Sequence, residues 1–311
     1  MNDQKSVLRS ATVMLLFVGL VGIWMGGCEN QEQRVEKLIK QLRDQNEEVR
    51  WDAGYALGQI GKDAVPALVQ ALQDQNSQVR GSAAVALGEI GEGAVDAVPT
   101  LIQALKGQDA KVRANAAMAL GEIGTPEAIK AVEGEVSALI LALQDEDVKV
   151  RFAAVWALGS IGEREVNAMP ALIQVLQDQD AKVRFAAAYA LGETGEGAVD
   201  AVPALIQALQ DQDAKVRFAA AYALGEIGEG AVDAVPALIQ ALQDEHVRGN
   251  AAMALGQIGT SEALKAAVPV LIKVLQDPDA EGRFRSIVAR ILGEIDTPEA
   301  LKAVEEYQSR Q

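Results

Sequence analysis

Two adjacent stretches decide the fold: Met169–Ala201, MPALIQVLQDQDAKVRFAAAYALGETGEGAVDA, and Val202–Ala234, VPALIQALQDQDAKVRFAAAYALGEIGEGAVDA. They differ at three of 33 positions, Met169/Val202, Val175/Ala208 and Thr194/Ile227. A fixed period of this length is the mark of a repeat architecture. In the second copy Pro203 stands where a first helical turn has no use for an N–H, and Leu205, Ile206 and Leu209 follow as an apolar stripe at helical spacing. Asp211-Gln212-Asp213 interrupts that helix, and Asp213 is placed to cap a second one by accepting from its free amides. Along the second helix Val216, Ala220, Ala223, Leu224 and Ile227 share a face, and Gly228 ends it as a C-terminal glycine does. The unit is a helical hairpin that cannot bury its stripe alone, so copies must stack. The many alanines allow axes about 8–10 Å apart.

The same frame extends in both directions. Arginine recurs at Arg50, Arg80, Arg113, Arg151, Arg184, Arg217, Arg248 and Arg283. Each is followed by a triplet: Ala56-Leu57-Gly58, Ala86-Leu87-Gly88, Ala119-Leu120-Gly121, Ala157-Leu158-Gly159, Ala190-Leu191-Gly192, Ala223-Leu224-Gly225, Ala254-Leu255-Gly256 and Ile291-Leu292-Gly293. Eight units result, 35–64, 65–97, 98–135, 136–168, 169–201, 202–234, 235–267 and 268–296, with 29–34 a short linker and 297–311 a capping helix opened by Thr297-Pro298-Glu299. The stretch from Gly124 through Thr125, Pro126 and Glu127 lengthens one connection and is expected to hold a short extra helix.

Over Val35 to Asp296 the unit resembles a HEAT repeat, of the short HEAT-like kind associated with phycobilisome lyases. That resemblance implies an all-α, right-handed superhelix whose second helices line the concave face. It also implies a ladder of ion pairs between a turn Asp and the Arg six residues later: Asp44 with Arg50, Asp74 with Arg80, Asp145 with Arg151, Asp178 with Arg184, Asp211 with Arg217, and Asp277 with Arg283. Gly107 stands where the Asp before Arg113 would be, and Asp244 lies only four residues before Arg248, so the ladder is expected to break at those two units. The pairs are read as structural, because a position that repeats serves stacking rather than one substrate.

Composition narrows function. Of 311 residues 50% are hydrophobic and only 4% aromatic, which favours closely packed helices over a β-sandwich. The formal net charge of -16, without a Lys/Arg run, argues against nucleic acid as partner. His246 is the single histidine, so neither a His-rich metal site nor a triad can be assembled. Deoxyhypusine hydroxylase, a HEAT-like di-iron enzyme, resembles this chain in its repeats, but the several His-Glu ligand pairs are absent. The Asp-Gln-Asp turns lack the glycine and distal glutamate of a calcium loop, and Gly91-Glu92-Gly93 with its copies at Gly195 and Gly228 follows no strand, so no metal and no cofactor are expected.

At the N-terminus Lys5 and Arg9 precede an uncharged apolar run from Ala11 to Met25, then Gly26-Gly27-Cys28 and polar residues. This reads as an export signal over 1–28. The lone cysteine at its end resembles the lipobox of bacterial lipoproteins, implying acylation of Cys28 and attachment on the extracytoplasmic side of a membrane, although Met25 stands where that family usually has Leu. Export also argues against the family's alternative role as a phycobilin lyase or isomerase, whose substrates sit on the cytoplasmic side. The expected function is therefore a non-enzymatic scaffold, monomeric, holding a protein or peptide partner.

The site expected for that partner lies where units differ. The residue after each repeat arginine and the one four further on are neighbours on a helix: Trp51/Tyr55, Phe152/Trp156, Phe185/Tyr189 and Phe218/Tyr222. The last three pairs are expected to form adjacent rungs of an aromatic ladder bordered by Glu193 and Glu226, whose rings either line a groove or fill space between helices, and Trp51 and Tyr55 join them as candidate partner-binding residues of the concave face.

Overall fold

The computed structural model describes residues 30–124, 134–161, 168–259, 261–277, 282–295 and 297–309, excepting the side chains of 134–135, 261–264, 266 and 283. Cys28 with the expected 1–28 leader, the extra helix expected after Gly124 and the side chain of Arg283 lie outside these described residues. Among the described residues there is no strand, and no helix is long and apolar enough to cross a membrane.

Helices follow one another in pairs: α1 (Gln31–Gln41) and α2 (Glu47–Ile60), α3 (Val65–Ala71) and α4 (Ser77–Ile90), α5 (Val98–Ala104) and α6 (Ala110–Ile123), α7 (Gly134–Ala142) and α8 (Val148–Ile161). The second half continues with α9 (Ala168–Val175) and α10 (Ala181–Glu193), α11 (Val202–Ala208) and α12 (Ala214–Ile227), α13 (Val235–Ala241) and α14 (Arg248–Ile258), α15 (Ser261–Gln276) and α16 (Gly282–Ile295). A last helix, α17 (Pro298–Gln308), starts after Thr297, whose hydroxyl accepts from the Ala300 amide, and packs on α15 and α16.

Local chemistry sets each hairpin. Proline occupies the first turn of α3, α5, α11 and α13, where its missing donor costs nothing. The turn Asp accepts from the amide two residues on, as Asp211 does from Asp213, and Asp213 then caps α12 by accepting from Lys215. Gly228 closes α12 at φ 67°, a left-handed conformation that glycine alone adopts without strain, and a 3-10 turn (Gly228–Ala234) leads into α13. Boundaries move relative to the sequence reading: α15 starts at Ser261, inside the expected unit 235–267, and α7 at Gly134, inside 98–135. The expected 29–34 linker is already helical from Gln31, because Asn30 and Gln33 form a reciprocal capping box.

Leu68, Leu101, Leu139, Leu172, Leu205, Leu238 and Leu271 of the first helices, and Leu57, Leu87, Leu120, Leu158, Leu191, Leu224, Leu255 and Leu292 of the second, are buried in one continuous core. Elements in extended contact belong to the same or to successive hairpins. The stack is tighter on one side. Successive second helices lie against each other along their lengths, whereas successive first helices meet over short segments, so the array bends toward the second helices and makes theirs the inner wall.

The triplet glycine permits that approach. A Cβ on Gly121 would lie 2.6 Å from Ala157 Cα, and one on Gly159 would lie 2.8 Å from Ala190 Cβ. In each case the glycine of one Ala-Leu-Gly meets the alanine of the next. Gly293, in the last triplet, has nothing within 4 Å of its missing Cβ.

Gly121→Ala and Gly159→Ala should therefore each lower stability by about 1–3 kcal/mol through overpacking, although alanine inside a helix ordinarily gains up to ~1 kcal/mol over glycine. Gly293→Ala should show the ordinary sign and raise it. Urea denaturation followed by circular dichroism reads both, and an unchanged or raised midpoint for Gly121→Ala would refute the close-packing account.

Candidate functional site

On each second helix a stripe of exposed and half-buried side chains faces inward, opposite the alanines and leucines that pack the core. In α8, α10 and α12 this stripe carries Phe152 and Trp156, Phe185 and Tyr189, and Phe218 and Tyr222. Their backbones are one hairpin apart, yet the rings reach across the gap. Phe152 meets Trp156 edge-on with centroids 6.0 Å apart, Trp156 lies 5.5 Å from Tyr189, and Tyr189 stacks on Tyr222 at 5.3 Å and 17°. Phe185 stacks beside Tyr189 at 6.2 Å. Trp156, Tyr189 and Tyr222 are half-buried against one another, and Phe218 stands 41% exposed at the end of the row.

Trp51 and Tyr55, the other expected partner-binding rings, stand apart from this row. Trp51 and Tyr55 on α2 stack at 5.6 Å and 4°, but they are separated from α8 by α4 and α6, which present Gly81 and Val85, then Ala114 and Met118. Lacking rings there, the inner wall opens into a cleft of about 330 Å³ lined by Trp51, Gly54, Tyr55, Gly81, Val85 and Asn115. Trp51 is 64% exposed and Tyr55 49%.

Glu193 and Glu226 border the rings. The Tyr222 hydroxyl donates to Glu193 Oε1 at 2.6 Å, and Gln257 Nε2 donates to Glu226 Oε1 at 3.0 Å. The hydrogen bond to Glu193, then burial, pushes the Tyr222 phenol above its ordinary value. The Glu193 charge raises Tyr189 in the same direction. Further along the row, desolvation and the neighbouring Glu89 carboxylate raise Glu122. Gln257 is a member that the sequence reading missed; it occupies in α14 the register that Glu226 holds in α12.

The Asp–Arg ladder is present, but its pairing differs from the expected one. From Arg50 to Arg217 each repeat arginine spends one guanidinium nitrogen on its own turn, donating to two backbone carbonyls: Arg184 Nη1 to Asp178 O at 2.8 Å and Gln179 O at 3.2 Å. Arg50 and Arg80 do the same with the carbonyls of Asp44 and Gln45, and of Asp74 and Gln75. The ion pair is made forward, with the turn Asp of the following hairpin: Arg113 with Asp145, Arg151 with Asp178, Arg184 with Asp211, and Arg217 with Asp244. Arg113 and Asp244, expected at breaks, are thus paired. Gly107 instead removes the forward partner of Arg80, and Asp74 is held by Arg43. Geometry explains the shift, since an arginine one helical turn past its own Asp reaches sideways to the next hairpin more easily than backwards. Arg248 lies over the Phe284 ring, 4.9 Å from its centroid. His246 is in an exposed turn, 3.6 Å from Glu245. Among the described residues no three potential metal ligands gather.

Arg113 holds the Asp145 carboxyl below its ordinary 3.8, against the opposing effect of burial and with help from the Asp147 amide. A depressed folded value stabilises the fold above the unfolded value and loses that contribution as pH falls through the folded one. Melting temperature should accordingly hold from pH 7 to 5 and drop below about pH 4. Asp145→Asn, which leaves Arg113 with only the Glu146 carboxylate at 4.0 Å, should cost about 1–3 kcal/mol at pH 7 and flatten the acid limb. Thermal melts of both proteins from pH 7 to 3 check this, and parallel acid limbs would refute it.

HEAT repeats match the chain in overlapping windows over residues 35–98, 93–135, 135–203, 169–246, 202–266 and 235–310. No curated protein matches it. Among solved structures, an engineered protein is 30% identical, covering 88% of this chain and 82% of its own with a TM-score of 0.58. YibA from Escherichia coli is 23% identical, covering 87% of this chain and 97% of its own with a TM-score of 0.63. Importin beta is 19% identical over 89% of this chain with a TM-score of 0.67, and the match spans 43% of importin beta. The last two likenesses concern fold alone.

Proposed function

The chain belongs to the HEAT-repeat family, and from that premise we propose that it is a non-catalytic scaffold that holds a protein or peptide partner on its inner wall. The observation that carries this reading is the continuous row of rings from Phe152 to Tyr222, lying on the concave side of a rigid stack. Core packing does not require rings there, since the corresponding positions of α4 and α6 hold Gly81, Val85, Ala114 and Met118 while the same leucines stay buried. Large flat side chains with two rotatable bonds supply contact area at low entropic cost, which is why they concentrate at protein-binding hot spots. A solenoid also spreads its contacts over many units rather than converging them on one reaction centre.

We further propose that the scaffold is tethered to a membrane through acylated Cys28 on the extracytoplasmic side. The supporting features are the basic start, the apolar run and the small residues before the single cysteine.

Two experiments bear on these readings. Crosslinking pull-down with the exported protein should recover a partner that is lost when Phe185, Tyr189, Phe218 and Tyr222 are all replaced by Ser, with the helical circular-dichroism signal retained. Equal recovery by both proteins would refute the inner wall as the binding face. Metabolic labelling with a radioactive fatty acid should mark the wild type and not Cys28→Ser, which should move from the membrane to the soluble fraction. Labelling of the variant would exclude that anchor.

A further inference from the structure

The ring-bearing stripe is longer than its rings. In α10 it reads Lys182, Phe185, Tyr189, Glu193, and in α12 Lys215, Phe218, Tyr222, Glu226. The spacing i, i+3, i+7, i+11 keeps each set on one helix face. Lysine recurs at the first of these positions in α6 and α8 as Lys111 and Lys149, and glutamate at the last in α4 and α6 as Glu89 and Glu122. All eight of these charged side chains are exposed. The inner wall is therefore divided electrically: a lysine rim at the N-terminal ends of the second helices, a glutamate rim at their C-terminal ends, and rings between. Ser160 interrupts the acidic rim, and Lys111 leans toward Glu47 at 4.0 Å. The capping carboxylates Asp180 and Asp213 are committed to the amides of Lys182 and Lys215.

Helix stability does not account for this arrangement. A helix N-terminus carries partial positive charge and its C-terminus partial negative charge, so lysine in the first turn and glutamate in the last each work against the macrodipole. In α10 and α12 the lysine and the glutamate of the stripe both oppose the dipole, while the capping carboxylates Asp180 and Asp213 agree with it. The dipoles of the parallel second helices add to the side-chain charges, making one rim more positive and the other more negative.

We propose, resting on the inner-wall reading above, that the occupant is an amphipathic helix of a partner protein, lying along the solenoid with its apolar stripe on the rings, an acidic flank toward the lysine rim and a basic flank toward the glutamate rim. The dimensions select a helix. Lys182 and Glu193 are eleven residues apart on one helix, about 16 Å along its axis, and an α-helix with its side chains is about 10–12 Å across. It spans the rings and leaves each flank within reach of its rim. An extended strand alternates its side chains toward and away from the floor and turns neither charge outward to a rim.

Fluorescence anisotropy with the full chain and four labelled synthetic helical peptides tests this. All share one apolar stripe and differ only in their flanks: one acidic and one basic, both acidic, both basic, or both neutral. The mixed peptide should bind at least about tenfold more tightly than the other three, with the margin shrinking as salt is raised. Replacing Lys149, Lys182 and Lys215 together by Glu should transfer the preference to the peptide with two basic flanks while leaving the melting temperature unchanged or higher, because the new charges agree with the helix dipole. Equal binding of all four peptides would overturn the charge-divided groove and leave the aromatic binding face standing. Tightest binding of a uniformly charged peptide to the wild type, or no binding of any, would overturn the proposal too; the serine-variant pull-down reads the inner wall independently.

Discussion

The shape of this protein depends on the contact between the glycine of one Ala-Leu-Gly triplet and the alanine of the next. At Gly121 and Ala157, or Gly159 and Ala190, there is no room for one further carbon atom. The second helices therefore approach more closely than the first helices do, and a stack pinched along one side curves toward that side. The inner wall follows from the pinch. So does the reach of the rings, since side chains such as Tyr189 and Tyr222 stack at 5.3 Å only because their helices are drawn this near.

Close approach fixes the distance between hairpins but leaves them free to slide, and the forward Asp–Arg pairs remove that freedom. Arg184 holds the end of its own inter-helix turn through Asp178 O and Gln179 O and grips the next turn through both oxygens of Asp211. A buried ion pair returns little net stability after desolvation, whereas a bidentate fork is strict in direction. Its contribution here is register. Where Gly107 removes the forward partner of Arg80, the neighbouring inner wall also loses its rings and opens into the cleft beside Trp51.

The hairpins, their number and their caps were legible in the sequence because each rests on a local signal: Pro203 in a first turn, Asp213 before a second helix, Gly228 after it. The aromatic rungs were legible for a related reason, since i and i+4 neighbours on one helix need no knowledge of the fold. What escaped was relational. Six residues separate Asp211 from Arg217, the pairing that the family resemblance implied; the partner in the structure, Arg184, lies 27 residues away across a hairpin interface. The triplet glycine was visible as a repeat, but its purpose depends on the helix facing it. Trp51 and Tyr55 share the register of the rungs, and Gly81, Val85, Ala114 and Met118 between them already set that pair apart in the sequence.

Stability and recognition are written on different arcs of the same helix. On α12, Val216, Ala220, Ala223, Leu224 and Gly225 are buried and meet neighbours that leave no spare volume, so a change there propagates to two interfaces. Lys215, Phe218, Tyr222 and Glu226 lie on the open arc, where contacts between hairpins run through ring stacking and side-chain hydrogen bonds such as Tyr222 to Glu193 rather than through close-packed backbone. The nearly identical units Met169–Ala201 and Val202–Ala234 keep both arcs, whereas the units at Arg80 and Arg113 keep the packing arc and abandon the rings. Duplication of a hairpin thus supplies both a core that is already solved and a surface free to diverge.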